Sequence, residues 1–410
     1  MPKTEDYLNN NKVSGYIGFD PTSDSLHIGS LVQIMTLVHF QRHGHKPYVL
    51  LGGATGMVGD PSGKSKERNL LDTKELDKNI SSIKKQLSRF LKFDSSENEA
   101  VIVNNKDWFE NFNFLDFIRD VGKHITVNYM MSKDSVKKRL ETGISFTEFT
   151  YQLVQGYDFY WLYKNHNCLV QLGGSDQWGN IVTGTELIRR MDGGSAYAIT
   201  TPLVQKADGT KFGKTESGNI WLDPVKTSPY KFYQYWINSS DIDAENYIKI
   251  FTLHDKNKIE DLIAQHKENP GLRLLQNELG KYITSMIHGE EQYLMAKEAS
   301  SILFMKGDEA VSALKSLSTD LFLDIFEGVP KTEISKEEIF NGIPIIDALV
   351  EKSGFLKSNG EARRAINENS ISLNKSKVKL DTIINTKDLI DGKYLLLQRG
   401  KKNYFVILVA

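Results

Sequence analysis

The chain has 410 residues, with 51 Lys and Arg against 52 Asp and Glu, one Cys and 40% hydrophobic residues. That length allows two or three domains of roughly 100 to 200 residues each, and the ordinary charged and aromatic content excludes collagen-like, coiled-coil and disordered classes as wholes. The single Cys168 fits a reducing compartment, no apolar run reaches the ~18 residues of a membrane-crossing helix, and MPKTEDYLNNNK lacks a signal-peptide pattern, so a cytoplasmic protein is expected.

Residues 13–19 (VSGYIGF) are a strand candidate, and 28–43 have the apolar spacing of a helix. Asp20-Pro21-Thr22-Ser23-Asp24-Ser25-Leu26-His27-Ile28-Gly29-Ser30 joins the two. Free N–H groups and the dipole of a helix start favour phosphate there. Ser25 or Asp24 is expected to cap this helix, placing His27 in its first turn beside Gly29, with the Thr22 hydroxyl nearby. His27 is then either a phosphate donor or a capping or packing histidine.

Residues 47–51 (PYVLL) form a second strand candidate, ending in a Gly-rich loop over 52–63. A P-loop closing on Gly63-Lys64-Ser65 needs Gly at position 58, where Val58 stands, so a Walker-type site is excluded. Asp60 at that strand end can hold an ammonium group. Lys64 and Arg68 either face phosphate or lie on a solvated loop. Asp72 and Glu75 open a helix with the stripe Leu76, Ile80, Ile83, Leu87 and Leu91, and 101–103 is a further strand.

Residues 105–150, rich in Phe, Trp and Met, break the rhythm and read as an insertion. Tyr151, Gln155 and Asp158 then share one helical face, which requires a buried network or a polar ligand. Residues 168–172 (CLVQL) run as a strand into Gly173-Gly174-Ser175-Asp176-Gln177. This alternation predicts a doubly wound parallel sheet with ligands beyond the carboxyl ends of its strands. In Lys211-Phe212-Gly213-Lys214-Thr215 two lysines flank a Gly hinge and could close over a polyphosphate, although the pattern alone also describes an exposed loop. Ser228-Pro229 begins a helical stretch reaching about 325, 328–339 (GVPKTEISKEEI) reads as a polar linker, and 340–410 returns to short strands ending in 404–409 (YFVILV). A nucleophile elbow, HExxH, paired Cys and GxGxxG are all missing, which leaves positioning and charge stabilisation as the chemistry and no protein metal site.

The near-zero net charge conceals a division. Residues 340–410 hold twelve Lys or Arg against seven acids, +5, and the rest holds 39 against 45, −6. A basic tail on an acidic body points to a polyanion partner, with a solvated basic face as the alternative.

These clusters, in this order, resemble the class I aminoacyl-tRNA synthetases and within them the bacterial tyrosyl type. His27-Ile28-Gly29-Ser30 is similar to the first signature of the class, usually HIGH, and Lys211 to Thr215 to the second, usually KMSKS. YIGFDPTSDSLHIG, GDPSGK, YQLVQGYDF and GGSDQWGN strengthen the match, which covers essentially the whole chain. The resemblance implies an α/β, Rossmann-like catalytic domain over 1–226, with the 105–150 insertion as dimer interface. It implies an α-helical anticodon-binding-type domain over 227–330 and a small α+β S-four-type RNA-binding domain over 331–410 after a short linker.

The implied activity is ATP-dependent formation of tyrosyl-adenylate, then transfer of tyrosine to tRNA(Tyr), by a homodimer using ATP as substrate with Mg2+ on the polyphosphate. By motif, Tyr16 and Asp158 would bind the substrate phenol, Tyr151, Gln155 and Asp60 its ammonium, and Gln177 would lie near its carboxylate. Asp20, Thr22 and His27 would lie along the substrate and triphosphate, Gly29, Ser30, Asp176, Lys214 and Thr215 would meet ATP, and Lys211 would act with Lys214. Lys64 and Arg68 are candidates for phosphate or the tRNA end, and Arg363, Arg364 and Lys375 for tRNA contact in the tail. Two positions depart from the family pattern. Ser30 replaces the second His of the signature, and Ile17 stands where a small polar residue often meets the ribose. Tryptophanyl-tRNA synthetase is the nearest rival, and an RNA-binding protein that kept the fold without catalysis is the rival from another class.

Overall fold

A computed structural model describes residues 4–62, 71–94, 96–140, 143–215, 218–302, 305, 307–400 and 403–410. The chain divides into two compact units, residues 1–226 with 240–263, and residues 227–239 with 264–410.

The first unit is built on five parallel strands: β1 (Ser14–Phe19), β2 (Lys46–Leu51), β3 (Val101–Asn104), β4 (Cys168–Gly174) and β5 (Tyr197–Thr201). Their order is β3-β2-β1-β4-β5, and every neighbouring pair is parallel. Continuous apolar runs such as PYVLL and CLVQL suit strands buried on both faces. The edge strand β5 escapes such a reading because Ala198 alone among its residues is buried. The order reverses at β1, so the chain leaves β1 and β4 toward opposite sides, opening the crevice in which open α/β sheets bind ligands.

Asp72 caps the Thr73–Leu87 helix by accepting from Glu75 N, as its sequence predicts. Leu76, Ile83 and Leu87 are buried and Ile80 is half-buried, while Leu91 lies beyond the helix end. The insertion consists of short helices, among them Phe114–Asp120 and Val127–Met131. The Phe146–His166 helix that follows starts on a capping box, Ser145 with Glu148, and the buried Glu148 meets the buried Arg139 at 2.7 Å. This helix packs on Trp178–Asp192 through glycines. A Cβ on Gly184 would stand 2.7 Å from Phe159 Cβ, and one on Gly156 would stand 3.1 Å from Leu187 and Thr183.

In the second unit Ser228 caps the Pro229–Ile237 helix, and helices continue through Thr319–Ile325. Its sheet runs, edge to edge, Ser376–Lys377, Ile371–Leu373, Tyr394–Arg399, Asn403–Val409 and Lys331–Ile334. The segment 328–339 is therefore not a linker. Lys331–Ile334 pairs in parallel with the C-terminal strand, and Ser335 with Glu338 forms a capping box opening the Lys336–Asn341 helix. Alternate residues explain how this sheet is covered: Leu395 and Leu397 join one apolar core, while Tyr394 and Leu396 join another with Phe322, Phe326 and Tyr293.

The Gly184 contact yields a stability prediction. Alanine in an exposed helix gains about 1 kcal/mol over glycine, but here the neighbour is a Cβ and cannot swing away. Gly184→Ala should lower the melting temperature, with a cost of about 1–3 kcal/mol. An unchanged or raised melting temperature would show that the two helices can separate freely.

Candidate active site

The carboxyl ends of β1 and β4 open onto a cleft of about 340 Å³. Its walls carry Tyr16, Asp20, Thr22, His27, Gly29, Ser30, Asp60, Tyr151, Gln155, Asp158, Asp176 and Gln177. Twelve residues from four separated stretches of sequence thus converge on one site, along with Ile17.

Tyr16 and Gln171 are neighbours in register on β1 and β4. Tyr16 is 1% exposed, and its hydroxyl has no hydrogen-bond partner. Burial, followed by the nearby Asp158 charge, pushes its phenol well above the usual tyrosine range, so it stays a protonated donor. Asp158, on the Phe146–His166 helix, accepts from Trp108 Nε1 at 2.9 Å and Asn105 Nδ2 at 3.1 Å. Burial raises its carboxyl well above the ordinary value, and those two donors oppose the rise. Asn105 also donates to Thr55 Oγ1 at 3.0 Å and accepts from Ala54 N at 2.7 Å, tying the ends of β2 and β3 together.

A second polar network lies across the cleft. Tyr151 Oη donates to Asp20 Oδ2 at 2.8 Å, and Thr55 Oγ1 donates to Asp20 Oδ1 at 2.7 Å. Burial and the charges of Asp20 and Asp60 hold the Tyr151 phenol protonated, well above its usual range. Asp60 accepts from Ser62 N at 2.9 Å and Gln177 Nε2 at 2.7 Å. Asn180 Nδ2 lies 3.0 Å from Gln155 Oε1 and 3.3 to 3.4 Å from Gln177 Oε1, Ser62 Oγ and Asp60 Oδ1. Two carboxylates, a phenol and three carboxamides thus share one patch, a set suited to an ammonium group.

At the start of the Ile28–Arg42 helix the expected cap is replaced. His27 itself is the N-cap, its Nδ1 accepting from Gly29 N at 3.0 Å. Ser25 is engaged elsewhere, donating to Leu26 O and accepting from Gln86 Nε2 and Asp223 N. Asp24 pairs with Lys226 at 2.5 Å, which holds its carboxyl below the usual range. With Nδ1 an acceptor, the neutral ring carries its proton on Nε2, a donor beside the helix start.

Some candidates lie apart from these walls. Lys211 is exposed and its backbone bridges Gln205, and Lys214 and Thr215 pair their backbones with Asn219 and Gly218. Lys64 and Arg68 fall outside the described residues. Arg363 and Arg364 are exposed on the Asn359–Asn367 helix of the second unit, where Lys375 Nζ lies 3.0 Å from Tyr404 Oη.

Sequence reasoning missed Thr55, Asn105, Trp108, Asn180, Gln33 and Gln171. Asn105 follows the end of β3, so the strand-end rule could have found it, and Asn180 lies one helical turn after Gln177. Gln33 and Gln171 carry no motif. They line the cleft, and each has a buried Oε1 without a partner.

Comparison with known proteins fits this geometry. The family model "tRNA synthetases class I (W and Y)" matches residues 8–305, and "Tyrosine--tRNA ligase SYY-like C-terminal domain" matches 322–407. The chain is 61% identical to a tyrosine–tRNA ligase of Flavobacterium psychrophilum, over 99% of this chain and 95% of the relative. It is 59% identical to one of Bacteroides fragilis, over 100% and 96%. Among solved structures it resembles a C-terminally truncated mitochondrial tyrosyl-tRNA synthetase of Aspergillus nidulans, with TM-score 0.64, 30% identity, and 72% of this chain and 86% of that one covered. The chain belongs to the class I tRNA synthetases and, within them, to the tyrosine–tRNA ligase family.

Proposed function

We propose that the chain activates L-tyrosine with ATP and transfers it to the 3′ end of tRNA(Tyr). The observation that carries the amino-acid choice is the Tyr16 hydroxyl, buried and unpartnered beside Asp158. A phenol O–H accepts from Tyr16 and pairs with Asp158, whereas an indole N–H can only donate and a phenyl ring does neither. Leaving such groups unmatched costs about 1–3 kcal/mol each.

In this reading Asp60, Tyr151 and Gln155 hold the ammonium, displacing the Gln177 carboxamide from Asp60, and Gln177 moves beside the carboxylate. That carboxylate attacks the α-phosphorus of ATP, the new O–P bond forms as the bond to pyrophosphate breaks, and pyrophosphate leaves. Charge grows on phosphate oxygens, so donors from Thr22, His27, Lys211 and Lys214 favour the transition state over the ground state. Asp20, Gly29, Ser30, Asp176 and Thr215 line the path of the nucleotide. Magnesium belongs to the polyphosphate, whose charge it screens. The terminal ribose hydroxyl of tRNA then attacks the tyrosyl carbonyl, AMP leaves, and no enzyme nucleophile is needed.

Two further parts of the reading concern partners. Several large apolar side chains of the 105–150 insertion are exposed, including Phe114, Leu115, Val127 and Phe146 at 59 to 71%. Such exposure favours cover by a second copy of the chain, giving a homodimer. The +5 tail with exposed Arg363 and Arg364 supports tRNA binding, with Lys375 a further candidate there and Lys64 and Arg68 candidates at the acceptor end. The high identity to bacterial tyrosine–tRNA ligases supports a cytoplasmic location.

The direct test is ATP–pyrophosphate exchange across the twenty amino acids. Tyrosine-dependent exchange is expected; tryptophan-dependent exchange, or none with any amino acid, would overturn the reading. His27→Ala should slow adenylate formation by ~10²- to 10³-fold while tyrosine affinity holds; parallel loss of affinity would make His27 structural. Arg363→Glu with Arg364→Glu should cut tRNA charging by roughly tenfold and weaken its salt dependence, leaving exchange unchanged. Normal charging would remove the tail arginines from the tRNA surface.

A further inference from the structure

The second signature loop is fastened at three points, all within the first unit, and two belong to a helix that no motif marks. At its base, Ala207 N donates to the buried Asp243 Oδ1 at 2.8 Å. Asp243 is fixed in turn by the helix cap, accepting from Ser240 Oγ at 2.7 Å. At its crest, Phe212 stacks on Phe251 with ring centroids 5.1 Å apart and 15° between planes. Phe212 also meets Tyr247 edge-on at 5.0 Å. Tyr247 and Phe251 are one helical turn apart on Asp241–Phe251, touch each other at 5.9 Å, and are 1% and 0% exposed.

The third point is Gly213. Its φ of +84° is left-handed, and a Cβ there would stand 3.2 Å from Ile28 and 3.4 Å from Gly29 N. Beyond the hairpin the chain stays on the first signature, with Ile28 N donating to Ile220 O at 2.9 Å and His27 bridged to Trp221. Phe212 and Gly213 lie between Lys211 and Lys214, so the fixed residues are those between the two lysines, while Lys211 itself points to solvent. A loop carrying charge-stabilising groups gains rate in proportion to how well its backbone is held.

We propose that Tyr247 and Phe251 are positioning residues for ATP activation, an aromatic clamp that grips Phe212 and docks the Lys211–Lys214 loop on the helix start at His27–Gly29. This rests on the ATP-dependent reading above. The clamp acts only through the loop lysines. Its loss therefore affects the nucleotide step and spares the amino-acid site.

The test is a double-mutant cycle read by tyrosine-dependent pyrophosphate exchange and by equilibrium tyrosine binding. Phe251→Ala and, separately, Phe212→Ala should each lower kcat/KM for ATP by roughly 10- to 100-fold, with tyrosine affinity within about twofold. In a background of Lys211→Ala with Lys214→Ala, the same changes should cost less than about threefold, because residues acting as a unit are not additive. Phe212 is half-exposed on the loop, so Phe212→Ala decides the matter if Phe251→Ala fails to bind tyrosine. Equal losses in both backgrounds, or for Phe212→Ala a tyrosine affinity falling in step with rate, would overturn the clamp. Absence of tyrosine-dependent exchange in the unaltered protein would overturn the functional reading, and the clamp with it.

Discussion

A carboxyl group buried midway along a helix, held by an indole N–H and a carboxamide, sets the terms for the rest of the site. Removing a carboxyl from water is expensive unless donors compensate. Asp158 is compensated from Trp108 and Asn105, which come from the β3 end and the start of the insertion. Asn105 also ties down Ala54 and Thr55, and Thr55 bonds Asp20, which bonds Tyr151, about two helical turns before Asp158. The chain of bonds closes on itself. It makes the ends of β1, β2 and β3 and the Phe146–His166 helix one rigid frame, beside which the buried Tyr16 hydroxyl has no partner.

The nucleotide end follows a different logic. The pocket proposed for the amino acid is buried and already bonded together, but the groups proposed to meet the triphosphate lie on a helix start and on the 211–215 loop. His27 caps its own helix and is thereby fixed in tautomer, and the loop bearing Lys211 is held by aromatic packing at Phe212. In the proposed reading, rigid recognition of a small neutral ring and neutralisation of a polyphosphate are physically separate tasks carried by separate groups.

Much of this was legible in the sequence for a simple reason. Ligands of an open α/β sheet gather at strand ends, so finding the β1 and β4 strands and the Tyr151–Gln155–Asp158 face located the cleft. What escaped was of two kinds. Asn105, Trp108, Asn180 and Gln171 are uncharged, unpatterned side chains whose importance comes from neighbours distant in sequence, such as the 50 residues separating Trp108 from Asp158. The cap at His27 was misassigned because Ser25 and Asp24 have the stronger intrinsic preference, yet Gln86, Asp223 and Lys226 claim them first. Strand 331–334 escaped because its short polar sequence, KTEI, has one buried residue and takes its place only from the C-terminal strand beside it.

The central claim is that the Tyr16 hydroxyl exists to meet a substrate phenol and does nothing for the empty protein. The tyrosyl family is itself the standard example of such a site, rejecting phenylalanine by about 10⁵-fold. The decisive measurement is the ratio of kcat/KM for tyrosine over phenylalanine in pyrophosphate exchange, for the unaltered protein and for Tyr16→Phe, with the melting temperature of each ligand-free form. The account predicts that Tyr16→Phe lowers the ratio by roughly tenfold, through tyrosine alone, and leaves the ligand-free protein as stable or more so, since an unsatisfied buried hydroxyl has been removed. An unchanged ratio, or a destabilised ligand-free protein, would contradict it.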